Sequence, residues 1–213
     1  MRTDGETSTF SSACSFSKWS GNKSQNSAVQ DATCTDASIT LIQGPPGSGK
    51  TITSAEIVKR WLLSSHDKVL LVAETNEGVD NLLKKLLDHG LQNEEIVRFG
   101  SSGWKVSKDI NHLTFEFKYS QIKSGKKDPN GRIDKKMARK ILESCKIVCT
   151  TLISAGSSLL DGFVFKRVLV DEASQATEPA ILVPLSHGCE KLVLVGKLLR
   201  RDKRNPLFSH IKY

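Results

Sequence analysis

Ile39-Thr40-Leu41-Ile42-Gln43-Gly44-Pro45-Pro46-Gly47-Ser48-Gly49-Lys50-Thr51 carries a short apolar run straight into a glycine-rich loop that closes on Lys-Thr. The run reads as a buried strand. Downstream, Ile52, Ala55, Ile57, Val58 and Leu62 recur at the spacing of a helix packed on a sheet. A glycine loop between a strand and a helix start turns backbone N–H groups toward phosphate oxygens, and the helix dipole favours the same anion. Lys50 is then placed to reach the β- and γ-phosphates, and the Thr51 hydroxyl to ligate magnesium. Gly44, Pro45, Pro46, Gly47, Ser48, Gly49, Lys50 and Thr51 are therefore the candidate nucleotide loop, with ATP and Mg2+ as the implied ligands.

The pattern continues on both sides of the loop. Val69-Leu70-Leu71-Val72-Ala73 reads as a second strand, and Ile96 with Val97 as a short third. Between them Asn76 can cap a helix with Val79, Leu82, Leu83, Leu86 and Leu87 on one face and Gly90 near its end. Further strands are expected at Ile147-Val148-Cys149-Thr150, Arg167-Val168-Leu169-Val170 and Leu192-Val193-Leu194-Val195. β-Branched runs without alternation belong to parallel strands covered on both faces, so the fold class is α/β, a doubly wound, mostly parallel sheet. Residues 1–20, rich in Ser and Thr and without periodicity, read as a disordered leader. Residues 21–100 and 141–195 form the two parts of the main domain, 101–140 a basic insertion, partly helical toward Met137, leaving the sheet, and 196–213 a basic tail. Within the insertion Phe115, Phe117 and Tyr119 alternate, which suits a small β-core or, less well, a nucleic-acid contact.

Val168-Leu169-Val170 ends in Asp171-Glu172. A carboxylate pair at a strand end is an ordinary surface feature alone, but beside a phosphate loop it supplies a metal partner and a group to polarise the attacking water. Charge is uneven along the 213 residues. The net +8 divides into +7 over residues 104–146 (twelve Lys/Arg against five Asp/Glu), +5 over 196–213 (six against one), and −4 elsewhere. Two basic segments on an acidic body suit a polyanion such as nucleic acid, or else a solvated insertion and tail. No apolar stretch approaches the ~18 residues of a membrane span. Five cysteines without a CxxC pair argue against disulfides or zinc and for a reducing intracellular compartment, nucleus or cytoplasm; Cys145 and Cys149 read as reduced core positions.

Five separate segments in order narrow the choice: Ser24-Gln25-Asn26-Ser27-Ala28-Val29, the loop from Gln43, Asn76-Glu77-Gly78-Val79-Asp80-Asn81-Leu82, Cys149-Thr150-Thr151-Leu152, and Asp171-Glu172-Ala173-Ser174-Gln175-Ala176-Thr177-Glu178-Pro179. The series closely resembles the superfamily 1 RNA/DNA helicases of the Upf/Sen/DNA2 type, from about Asn22 to Val195, over their first RecA-like domain. The resemblance implies a RecA-like P-loop NTPase domain with an inserted basic subdomain, acting as an ATP-dependent helicase-type ATPase. It implies that Gln25 reads the adenine, that Lys50, Asp171 and Glu172 are catalytic, and that Thr51 and Asp171 hold the metal. It further implies that Asn76, Thr150 and Thr151 touch the backbone of single-stranded RNA or DNA, for which hydroxyl and amide groups suffice.

The match departs after Val195. Similar proteins continue Gly-Asp and then Gln-Leu, the glutamine sensing the γ-phosphate; here the text is Gly196-Lys197-Leu198-Leu199-Arg200-Arg201-Asp202. Asn205-Pro206-Leu207-Phe208-Ser209 resembles a later segment of the family, as though a stretch between were lost. The resemblance thus implies a truncated form holding the first motor domain alone, unwinding poorly unless a second motor domain or protein partner is supplied in trans. The alternatives are a nucleotide-gated nucleic-acid-binding module without turnover and an unrelated P-loop kinase.

Overall fold

The computed structural model describes residues 19–101, 106–122 and 133–197. Almost all of the expected leader, the centre of the basic insertion and the tail beyond Lys197 lie outside the described residues. Six strands form one sheet: β1 (Ile39–Gly44), β2 (Val69–Ala73), β3 (Ile96–Arg98), β4 (Ile147–Thr151), β5 (Arg167–Asp171) and β6 (Lys191–Lys197). They lie in the order β1-β6-β5-β2-β4-β3, and every pairing is parallel. Among the described residues six α-helices accompany them: α1 (Lys23–Cys34), α2 (Lys50–Ser64), α3 (Asn76–Asp88), α4 (Phe115–Ile122), α5 (Lys135–Ser144) and α6 (Glu178–Leu185).

The absence of polar alternation in the strands has a direct cause. Within β2, Val69, Leu71 and Ala73 belong to one core while Leu70 and Val72 belong to the other, and all five are buried. The first core packs α1, α2 and α3 through Val29, Trp61, Ile57 and Leu83. The second takes Phe115, Ile141, Leu142 and Ile181 from α4, α5 and α6. Each Val or Leu so buried contributes about 1.5–3 kcal/mol, and the side-chain period of two divides that burial between the sheet's faces. No helix among the described residues is long and apolar enough to cross a membrane. Cys145 and Cys149 are buried free thiols, and burial pushes the Cys149 thiol up to about 12.

Three local expectations are corrected. The cap of α3 is Thr75, whose hydroxyl accepts from Gly78 N–H at 3.0 Å; Asn76 is already the first helical residue. The alternating aromatics stand on α4, not on strands. Residues four apart share a helical face, so Phe115 packs on Phe99 (5.5 Å between centroids) and Tyr119 (5.8 Å), while Phe117 between them is exposed. The described parts of the insertion also return to the sheet rather than leave it: Thr114 bridges Arg98, and α4 and α5 close the second core. An aromatic period of two was an accident of helix positions i, i+2 and i+4.

β3 carries an unusual side chain for a covered strand. Arg98 is fully buried; its Nε donates to Asp80 Oδ1 at 2.9 Å, Nη2 to Asn76 Oδ1 at 2.7 Å and Nη1 to the Phe99 carbonyl at 2.7 Å. A buried charge stays folded only when paired and hydrogen-bonded, and this network meets that condition by tying the first two turns of α3 to the sheet edge. Asp80→Ala should therefore destabilise the fold by about 3–5 kcal/mol, read as a lower urea midpoint. Asp80→Asn, which retains an acceptor, should cost clearly less. Equal costs for the two variants would show that shape alone, not pairing, holds Arg98.

Candidate nucleotide site

Parallel strands finish on the same side of a sheet, so the loops after β1 and β5 emerge side by side with only β6 between them. The loop after β1 turns through Gly47 (φ 76°) and Gly49 (φ 79°), both in the left-handed region open to glycine. At Gly49 a methyl group would also stand 2.5 Å from the Gln25 amide nitrogen, the movable tip of that side chain, so the backbone angle is the firmer reason for glycine there. Gly49 is the N-cap of α2 and offers no capping side chain, which leaves the helix's opening N–H groups to the cleft.

Lys50 donates to the carbonyls of Gly44 at 2.9 Å and Pro45 at 2.8 Å. Burial lowers its pKa, Asp171 and Glu172 act the other way, and the charge of Lys197 adds to the depression. Asp171, at the end of β5, is buried and accepts from the Glu172 N–H at 3.0 Å and from the Thr51 hydroxyl. Burial raises its carboxyl to about 6, with the Glu172 charge pushing the same way and the Glu172 N–H, Lys50 and Thr51 opposing. Glu172 itself has φ 54°, the only non-glycine residue with positive φ among those described. Such a conformation costs on the order of 1–3 kcal/mol and persists where surrounding structure imposes it. It turns the Glu172 carboxylate toward the first turn of α3, where Oε2 lies 3.2 Å from the point a Cβ on Gly78 would occupy.

These groups line one cleft of about 370 Å³ with Pro46, Ile52, Lys85, Ser174, Gln175, Gly196 and Lys197. Thr51 and Asp171 fit a magnesium ion by donor chemistry: a hydroxyl and a carboxylate, both hard oxygens, already in hydrogen-bond contact. Among the described residues no group of three or more His, Cys, Asp or Glu could hold a metal alone.

The remaining predicted residues are distributed less simply. Gln25 sits against the loop, its Nε2 donating to the Ser48 carbonyl at 3.0 Å while its Oε1 accepts from Asn22 N–H at 3.0 Å in a capping box. Helix α1 thereby braces the loop, a helix that the sequence reading left unassigned. Thr151 ends β4, paired with Ala73 at the end of the adjacent β2, and Asn76 lies shortly beyond β2. Asn76 accepts from Arg98, and Thr151 bonds Ser154 Oγ at 2.9 Å. Thr150 is fully buried, its hydroxyl without a hydrogen bond among the described residues and closed over by Gly100. The strand register points it inward, so, contrary to expectation, it has no surface to offer a nucleic acid here. Lys85 and Lys197 also line the cleft; Lys85 belongs to no motif in the sequence, and Lys197 stands there only in the departure after Val195.

Residues 20–130 and 116–197 match the family described as AAA domain. Among curated proteins the chain is similar to the regulator of nonsense transcripts 1 homolog of Arabidopsis thaliana, 35% identical over 82% of this chain and 15% of that protein. It is likewise similar to the ATP-dependent helicase NAM7 of Saccharomyces cerevisiae (35%, over 82% and 19%) and the ATP-dependent helicase upf1 of Schizosaccharomyces pombe (33%, over 82% and 21%). The chain thus spans about a fifth or less of these relatives' length. The UvsW helicase from bacteriophage T4 superposes with a TM-score of 0.61 at 17% identity, over 92% of this chain and 61% of that one, a likeness of fold. The matching family model and these relatives show that the chain belongs to the AAA-domain family, as a first RecA-like domain of the superfamily 1 helicase type.

Proposed function

We propose that this domain binds ATP with magnesium and hydrolyses it in a manner coupled to single-stranded RNA or DNA. The observation that carries the proposal is the meeting of Lys50, Thr51, Asp171 and Glu172 in one cleft at the ends of β1 and β5. Family membership and relatives named as ATP-dependent helicases support it. Loop N–H groups and the α2 start would cradle the phosphates. Lys50 would exchange its two loop carbonyls for phosphate oxygens. Thr51 and Asp171 would hold magnesium, which neutralises charge developing on the phosphates. Glu172 would orient the attacking water and take its proton. For nucleic acid, Asn76 and Thr151 stand at one end of the sheet with polar groups suited to backbone contacts.

A second reading, binding without turnover, draws on one observation: the Glu172 carboxylate is turned toward Gly78 of α3. Phosphate release with and without single-stranded RNA or DNA separates the two. Under the proposed function nucleic acid stimulates release, and Glu172→Gln lowers it by about 100-fold or more while leaving ATP affinity within about twofold. Lys50→Ala should weaken ATP binding itself by about tenfold or more, as loss of charge-assisted contacts does. Release that neither nucleic acid nor these substitutions alter would sink turnover at this site.

Asp171 sets a pH dependence. Its folded pKa, about 6, exceeds the ordinary 3.8, so the folded chain holds this proton more tightly than the unfolded one. Stability from that proton is present below about pH 4 and is lost as pH rises through about 6, a change of roughly 2–3 kcal/mol. Asp171→Asn should therefore raise Tm at pH 7.5 and change it little at pH 4. Magnesium-dependent ATP affinity, which needs the carboxylate, should fall as pH drops below about 6 in the native protein. A native affinity flat from pH 7.5 to 5 would remove Asp171 from the metal's shell.

A further inference from the structure

β6 is the strand that separates the phosphate loop from the carboxylates, and its last residue is a lysine. The register sets Gln43 beside Gly196 and Gly44 beside Lys197, so β6 ends level with the first glycine of the loop. On its other side the backbone is pinned by the turn after β5. Lys197 N–H donates to Ser174 Oγ at 3.2 Å, and a Cβ on Gly196 would stand 3.2 Å from the Ser174 main chain. The ammonium group is thus launched from a fixed point between the loop that would hold the inner phosphates and the glutamate that would face the outermost one.

Three lysines line this cleft, and only one is uncommitted. Lys50 is engaged with the carbonyls of Gly44 and Pro45, and Lys85 pairs with Asp88 at 3.1 Å. Lys197 is exposed and, among the described residues, its side chain makes no hydrogen bond or ion pair. A phosphate chain laid along the loop toward Glu172 would pass the end of β6, because Lys197 lies level with Gly44 and lines the same cleft as Glu172. We propose that Lys197 reads the terminal phosphate of the bound nucleotide and makes the site selective for a nucleoside triphosphate over the diphosphate; this rests on the nucleotide-binding reading above. An ammonium contributes a compact point charge with three donors, suited to a phosphate with three free oxygens. Its charge is felt at Lys50, where it helps lower that pKa, so the two cations share a neighbourhood. A ligand charge set between two like charges relieves their repulsion as it binds.

The test measures Kd for ATP and for ADP, each with magnesium at fixed ionic strength, by titration calorimetry on the full chain. Wild type, Lys197→Ala and Lys197→Arg are compared, with Tm recorded for each; Lys197 is exposed, so all three should fold alike. Lys197→Ala should weaken ATP about tenfold, the effect of one charge-assisted hydrogen bond, and ADP less than about twofold. Lys197→Arg should recover most of the ATP affinity. Equal weakening of both nucleotides would show a diffuse charge effect and overturn the assignment, as would no change in either. A wild-type chain that binds neither nucleotide would defeat the nucleotide reading itself, and this inference with it.

Discussion

The parallel hydrogen-bond ladder is the constraint on which the rest depends. Because every strand runs the same way, each must be followed by a crossover, and all six strand ends collect on one side. A phosphate loop after β1, a carboxylate pair after β5 and a lysine at the end of β6 become neighbours although more than a hundred residues separate the first from the last. Antiparallel pairing of any one of these strands would send its terminal residue to the opposite side. The chemistry is local only because the topology makes it so.

The same ladder explains why strands were the most legible part of the fold. β2, β4, β5 and β6 were readable because covering both faces leaves them with nearly unbroken apolar text; β1 carries the same text yet exposes Ile39 and Leu41, so it is half-buried rather than the buried strand expected. Helices were legible where one face is wet, as on α2, α3 and the stretch around Met137 that forms α5, and not on α1 or α6. α1 holds buried residues only at Val29 and Ala32, too few to set a period. α6 contains Pro179 and Pro184 and is apolar nearly throughout, so neither breaker nor face identifies it. Thr75 escaped as a cap because its neighbour Asn76 is an equally good capping type; only the backbone angles distinguish them.

For the site, the residues readable in advance were those whose chemistry is tied to a fixed local backbone. Gly47, Gly49, Lys50 and Thr51 are set by the turn they form, and Asp171 and Glu172 by the strand they end. What could not be read was any property arising between segments. Lys197 enters the cleft through a pairing between β6 and β1 across some 150 residues of sequence. Arg98 looks like a polar interruption of a strand until Asp80 and Asn76 arrive from α3. Thr150 looks like an accessible strand-end hydroxyl until Gly100 closes over it. Register and partner are tertiary facts, and spacing along one segment does not contain them.

The bonds from Lys50 to Gly44 and Pro45 give the loop a rest shape of its own. The ammonium acts as a built-in crosslink that holds the first two loop carbonyls together, while Gln25 fastens the far side at Ser48. The loop is therefore organised by bonds within its own chain, and ordering of this kind reduces the chain entropy lost on association. Affinity at such a site is a difference between two sets of hydrogen bonds to the same cation, not the sum of the new ones. An anion too weakly charged to outbid two amide carbonyls would leave the crosslink closed, and the loop would discriminate by charge density before shape was consulted at all.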